Sequence, residues 1–163
     1  MSNDRPLWAP WRIEFIKGEK EKRCFLCGKK SVNPDWPEES LVVFRGRTAF
    51  VILNRYPYNS GHLMIAPYSH TGDISVLSVE ERHEIMDLCV KAKEVLQKIM
   101  RPDAFNAGFN LGAAAGAGIA DHLHMHIVPR WIGDTNFMPV ISDTRCVPEA
   151  LDETAKMVRE NWN

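Results

Sequence analysis

The sequence predicts an α+β domain: five short strands forming an antiparallel sheet, one long helix, and a second helix near the C-terminus. Three observations predict it. Short apolar, β-branched runs recur between Gly- and Pro-containing turns over residues 40–67 and again over 105–129. A single helical period runs from Val79 to Met100. The 163 residues are 45% hydrophobic and 25% charged, which fits one globular domain with a sizeable buried core and excludes a disordered tail or a fibrous repeat.

Residues 1–40 are rich in Trp, Pro and charge and poor in periodicity, so they read as an arm that wraps a core, with Cys24 and Cys27 on a turn. Glu19 to Arg23 reads as solvated surface. Ser40–Phe44 and Thr48–Asn54 flank Arg45-Gly46-Arg47, a hairpin signal. Pro57 and Asn59 make Arg55–Ser60 a loop, and Gly61–Pro67 is the third strand, with His62 at its start. Ser78 and Glu81 form a capping box. Ile85, Leu88, Cys89, Ala92, Leu96 and Ile99 then recur at helical spacing until Pro102 stops the helix. Phe105–Leu111 is the fourth strand, Gly112–Gly118 a loop of very small side chains, and His122–Pro129 the fifth strand. Pro148 opens the C-terminal helix, with Glu149, Asp152 and Glu153 early and Arg159 late, as the helix dipole favours. The chain reads as one domain over 1–163, with the arm at 1–40 and a C-terminal extension at 131–163.

Lys plus Arg number 20 and Asp plus Glu 21, so the net charge is −1. That balance argues against nucleic acid as a partner. No apolar run approaches the length of about 18 residues that a membrane span needs. Met1 to Arg12 lacks the apolar core of a secretion signal, so the expected compartment is the cytoplasm. Four cysteines do not make a disulfide scaffold; Cys89 lies on the apolar stripe of the long helix, and Cys146 receives no role.

The informative segment is Asp121-His122-Leu123-His124-Met125-His126-Ile127-Val128. On a strand, side chains alternate faces, so the three imidazoles are expected on one face and Leu123, Met125 and Ile127 on the core side. The preceding Gly/Ala loop lets backbone N–H groups approach an anion. Together they suggest a phosphate site with imidazoles beside it. Neutral imidazole is a competent nucleophile at phosphorus near pH 7, and a second imidazole can donate to phosphate or leaving-group oxygens. A three-histidine catalytic zinc site is the competing reading.

Cys24-Phe25-Leu26-Cys27 offers two thiolates from one turn, half of a tetrahedral zinc site. No second C-x-x-C exists, so the remaining ligands would be histidines, with His70 and His122 favoured; two reduced thiols without metal is the plain alternative. Trp8 and Trp11 read as packing of the arm or as an oligomer contact. Trp131 to Phe137 lies where it could close over a leaving group.

At His122-Leu-His124-Met-His126-Ile-Val128 the sequence resembles the histidine-triad (HIT) superfamily, whose motif is His-φ-His-φ-His-φ-φ. The similarity runs from about Cys24 to Arg130 and takes in Asn54-Arg55-x-Pro57, Gly61-His62, Pro67 and Asn110-x-Gly112. Leu7-Trp8-Ala9-Pro10-Trp11-Arg12 and Pro129-Arg130-Trp131-x-Gly133-Asp134-x-Asn136-Phe137 look like the bacterial branch related to diadenosine tetraphosphate phosphorylases.

The resemblance implies a five-stranded antiparallel sheet with two helices, a homodimer, and nucleotidyl transfer at the α-phosphate of a nucleotide. His124 would be the nucleophile, and His126 would contact the phosphate and assist the leaving group. Cys24, Cys27, His70 and His122 would hold a structural zinc; no organic cofactor is implied. Asn54 matches a position that binds ribose hydroxyls, and Asn110 one near the phosphate. Relatives often carry Gln, then Ser or Thr, where Gly118 and Ile119 stand. Backbone N–H groups of the loop, at Gly116, Gly118 and Ile119, would take over those contacts, and the space fits an incoming orthophosphate. The function expected is cleavage of dinucleoside polyphosphates such as diadenosine tetraphosphate by phosphorolysis. The alternatives are a nucleotide hydrolase or nucleoside phosphoramidase of the same superfamily, and a nucleotide-binding regulator with incidental turnover.

Overall fold

The computed structural model describes residues 24–35, 39–134 and 150–163. The arm before Cys24, with Trp8 and Trp11, lies outside the described residues, as do Asn136, Phe137, Cys146 and Pro148.

Five strands form one antiparallel sheet: β1 (Val42–Arg45), β2 (Ala49–Leu53), β3 (Leu63–Pro67), β4 (Ala104–Phe109) and β5 (Met125–Arg130). Their spatial order is β1-β2-β3-β5-β4. Consecutive β1, β2 and β3 make a meander. The long helix α1 (Val79–Met100) then carries the chain across, so that β5 enters between β3 and β4. This insertion places His126 on an interior strand of the sheet, with Met64 opposite it on one side and Gly108 on the other.

β2 and β3 are buried along their whole lengths, which is why they read as continuous apolar runs rather than alternating ones. The β1–β2 turn is tied to α1 through Glu84, whose carboxylate accepts the Arg47 N–H (2.7 Å), the Thr48 N–H (2.5 Å) and the Thr48 hydroxyl. Glycine suits residue 46, because a Cβ there would sit 2.9 Å from the Ala49 carbonyl oxygen and displace that carboxylate.

The expected capping box forms: Ser78 Oγ accepts the Glu81 N–H (3.1 Å) and Glu81 Oε2 accepts the Ser78 N–H (2.9 Å). Ile85, Leu88, Cys89, Ala92, Val95 and Leu96 make the buried face, while Ile99 is only partly buried. Arg101 takes a left-handed conformation (φ 49°) and Pro102 follows, ending the helix.

The last helix, α2, spans Leu151–Glu160 and is capped at Ala150, three residues beyond the start that Pro148 suggests. Its first-turn Asp152 accepts the Ser40 hydroxyl (3.0 Å), Arg159 donates to the Val42 carbonyl (3.2 Å), and Trp162 stacks on Phe44 with centroids 5.1 Å apart. These contacts seat α2 against β1. Among the described residues no helix is long and apolar enough to cross a membrane.

Candidate active site and metal centre

The three histidines of the motif do not share one strand. The ladder begins at Met125, so only His126 lies in β5, and His122 and His124 sit on its extended approach. The core side behaves as expected, with Leu123, Met125 and Ile127 all buried. The approach is held away from ladder geometry by one bond, in which the Leu123 N–H donates to the Thr71 carbonyl at 2.6 Å. That bond turns His122 toward the loop after β3, and the rings of His124 and His126 remain together, edge to face, with centroids 4.9 Å apart. The three rings therefore do not converge on one point, which removes the three-histidine catalytic metal.

His122 joins Cys24, Cys27 and His70, whose ligand atoms all lie within 4.8 Å of one another. Cys24 and Cys27 are presented by one turn, closed by the Cys27 N–H donating to the Cys24 carbonyl at 3.1 Å and anchored by fully buried Leu26. Cys24 Sγ is 3.4 Å from His122 Nδ1, Cys27 Sγ is 3.7 Å from the same nitrogen and 3.2 Å from His70 Nδ1, and the two Nδ1 atoms are 3.3 Å apart. A tetrahedron with arms of about 2.3 Å to sulfur and about 2.05 Å to nitrogen has edges of about 3.5 Å between S and N and about 3.3 Å between two N. The donor set thus fits a zinc-sized ion.

The His122 ring is also in the right form. Its Nε2–H donates to the Pro67 carbonyl (2.9 Å), leaving the Nδ1 lone pair toward the thiols. Burial pushes its pKa down, which keeps it neutral.

His124 is buried, and burial likewise lowers its pKa. Its Nδ1–H donates to the main-chain carbonyl of His122 at 2.8 Å. One ring nitrogen being committed as donor, the other, Nε2, carries the lone pair. A neutral imidazole with an oriented lone pair is what nucleophilic attack requires.

His126 is set by a residue to which the sequence reading gave no role. The Tyr58 N–H donates to His62 Nδ1 (3.1 Å), so His62 carries its proton on Nε2 and donates it to His126 Nδ1 (2.9 Å). His126 in turn carries its proton on Nε2 and is a hydrogen-bond donor there. His62 is fully buried and sits one residue before β3, stacked on the Tyr58 ring with centroids 4.7 Å apart. A signal was present: of six histidines, only His83, exposed on α1, stands apart from the two clusters.

Asn54 lies at the end of β2 beside this relay. Its Oδ1 accepts the Tyr56 N–H (2.9 Å), and its Nδ2 is 3.3 Å from His62 Nδ1. Asn110 follows β4 and is half-buried. The Gly/Ala loop contains one 3-10 turn, Ala113–Ala115, with Gly112 (φ 82°) and Gly116 (φ 85°) in conformations that favour glycine. Gly116 and Gly118 are exposed and Ile119 half-buried. A Cβ on Gly112 or Gly116 would meet nothing within 4 Å, so this part of the loop is bare.

The model of the HIT domain family matches residues 37–131. The chain is 38% identical to a protein of Mycobacterium tuberculosis named AP-4-A phosphorylase, over 96% of this chain and 83% of that one. Among solved structures, the diadenosine triphosphate hydrolase of Plasmodium falciparum, in complex with cyclomarin A, superposes with a TM-score of 0.63 at 21% identity, covering 91% of each chain. A zinc-bound histidine triad family protein of Mycobacterium smegmatis superposes with a TM-score of 0.61 at 20% identity, covering 75% of this chain and 83% of that one. A family model spanning more than half of the chain, and a relative aligned over nearly all of it, place this chain in the HIT family.

Proposed function

We propose that the protein is a nucleotidyl transferase that cleaves dinucleoside polyphosphates, diadenosine tetraphosphate among them, by phosphorolysis. The observation that carries this reading is the His124 ring, neutral, buried and locked by the His122 carbonyl with its Nε2 lone pair available beside His126. The M. tuberculosis relative named AP-4-A phosphorylase supports the substrate class.

In the first step His124 Nε2 attacks the α-phosphorus. The P–N bond forms, the bridging P–O bond breaks, and its electron pair leaves with ATP. The Nδ1–H stays on the ring and stabilises the cationic phosphoryl-imidazole through the His122 carbonyl. His126 Nε2–H donates a hydrogen bond to the departing oxygen, a stable polyphosphate anion near neutral pH. In the second step an orthophosphate oxygen attacks the same phosphorus, the P–N bond breaks, its electron pair returns to Nε2, and ADP leaves. Dividing the displacement in two predicts ping-pong kinetics.

Asn54 is assigned to the ribose and Asn110 to the phosphate. Backbone N–H groups at Gly116, Gly118 and Ile119 are assigned to phosphate oxygens, where fixed donors act without reorganisation. Cys24, Cys27, His70 and His122 would hold zinc. With four protein ligands the ion would be structural, tying the Cys24–Cys27 turn to the segment that carries the nucleophile. A second copy of the chain would complete a homodimer; β4 is one of the two outer strands of the sheet, and its Asn106 and Ala107 are exposed.

The test is product analysis of diadenosine tetraphosphate with and without orthophosphate. ADP plus ATP only when phosphate is present supports phosphorolysis. AMP plus ATP regardless of phosphate makes the protein a hydrolase.

A further inference from the structure

The donor nitrogen of His126 is decided by a chain of bonds that does not end at His62. The loop between β2 and β3 supplies the Tyr58 N–H, and the Asn59 side chain ties that loop to the end of β5. Asn59 Nδ2 donates to the Pro129 carbonyl (3.1 Å) and to Asp134 Oδ2 (2.8 Å), and the Asn59 carbonyl accepts the His62 N–H (3.2 Å). Asp134 is itself fixed. Its Oδ2 accepts Arg130 Nε (2.6 Å) and the Trp131 N–H (3.2 Å), and its Oδ1 accepts Arg130 Nη2 (2.8 Å). Arg130 Nη1 reaches Asn106 Oδ1 on β4 at 2.9 Å. The far end of β5 is thereby tied to the loop that contacts His126 near the other end of the same strand.

The consequence is chemical. A neutral imidazole has two tautomers, and a neighbouring donor or acceptor selects between them. If the Tyr58 N–H moves away, His62 Nδ1 loses its shorter backbone donor and keeps the longer contact to Asn54 Nδ2 (3.3 Å), so the tautomer with the proton on Nδ1 gains population. His62 Nε2 then becomes an acceptor, and His126 pairs with it through Nδ1–H. His126 Nε2 is left as a lone pair where the reaction needs a donor.

We propose that Asn59 and Asp134 are positioning residues that hold the Tyr58 N–H on His62 and so keep the His126 proton on Nε2. This rests on the nucleotidyl-transfer reading above for its catalytic consequence, and on the hydrogen-bond geometry alone for the tautomer.

The experiment uses Asn59→Ala and two readouts on the full chain. The first is 15N imidazole spectroscopy at neutral pH. The wild-type protein shows His62 and His126 as Nε2–H tautomers, and Asn59→Ala shows both shifted toward mixtures. The second is turnover of the phenyl and 4-nitrophenyl esters of AMP, which share the adenylyl half and differ in leaving-group basicity. Asn59→Ala lowers kcat on the phenyl ester by about tenfold and on the nitrophenyl ester by less than about twofold, with KM little changed, since a donor matters most where negative charge builds most on the leaving oxygen. Asp134→Asn, which leaves Asn59 bonded to Pro129, moves both readouts less and in the same direction. Unchanged tautomers in both variants, or equal loss on both esters, overturns the proposal. If the wild-type protein cleaves neither ester nor diadenosine tetraphosphate, nucleotidyl transfer fails as a reading, and the spectra still decide the positioning role.

Discussion

Two clusters of the same residue type stand a few ångströms apart and do opposite things. Around His122, side chains converge: Nδ1 of His70, Nδ1 of His122 and two thiol sulfurs all lie within 4.8 Å of one another. Around His124 and His126 they diverge, each ring committing one nitrogen to a fixed partner and presenting the other. What separates the two arrangements is the main chain. The carbonyls of Pro67 and His122, and the N–H of Tyr58, choose the tautomer of each ring. His122 belongs to both clusters, with its side chain in one and its carbonyl in the other, so the two are mechanically joined.

The sharpest break removes the proposed nucleophile. His124→Ala is expected to lower kcat by about 10⁴-fold or more while the protein stays folded, checked by turnover alongside circular dichroism. Substantial remaining turnover in a folded variant would place the nucleophile elsewhere.

Breaking the convergent cluster acts first on stability. Cys24→Ser should leave the purified protein with substoichiometric zinc by metal analysis and cost about 3 kcal/mol, or roughly 10 °C of melting temperature. A chelator acting on the wild-type protein should reduce turnover only in step with loss of structure. Instant loss that zinc restores without refolding would give the metal a direct part in the chemistry.

A smaller change loosens the joint between clusters. Gly72 lies two residues after His70, and a Cβ there would collide with the Ala120 carbonyl. Gly72→Ala should push the His70 loop from the segment that leads into His122, costing about 1–2 kcal/mol and raising KM more than it lowers kcat. Steady-state kinetics on the variant checks this.

The smallest effect is electrostatic. The Arg130 guanidinium, bonded to Asp134, holds that carboxyl well below the usual carboxylate range. A depressed folded-state pKa stabilises the fold above the ordinary carboxylate pKa and loses that contribution as pH falls below it. The stability gap between wild type and Asp134→Asn should therefore be flat from pH 8 to about 5 and narrow only in acid. The pair is partly exposed, so the gap itself is small, and added salt should shrink it.

The sequence made much of this legible because its strongest signals are local. The strand runs, the capping box at Ser78 and Glu81, and the alternation of His122, His124 and His126 each depend on neighbours a few residues away. The pairing of the Cys24–Cys27 turn with His70 and His122 was legible from ligand chemistry and from the family resemblance together. What stayed hidden depends on topology. His62 reads as a strand opener until β5 is inserted beside β3, which sets it against His126. The departure of His122 and His124 from the strand follows from the bond between Leu123 and Thr71, which no alternation pattern records. Asn59 and Asp134 meet across 75 positions, and each alone reads as an ordinary loop residue.

The central claim is a covalent intermediate on His124, and trapping it is the most direct test. The protein is mixed with diadenosine tetraphosphate in the absence of orthophosphate, quenched in alkali within one turnover, digested and analysed by mass spectrometry. The account predicts one added AMP group on the peptide containing His124, discharged as ADP when orthophosphate is supplied before the quench. Turnover proceeding with no adduct, or an adduct on a different residue, would contradict it.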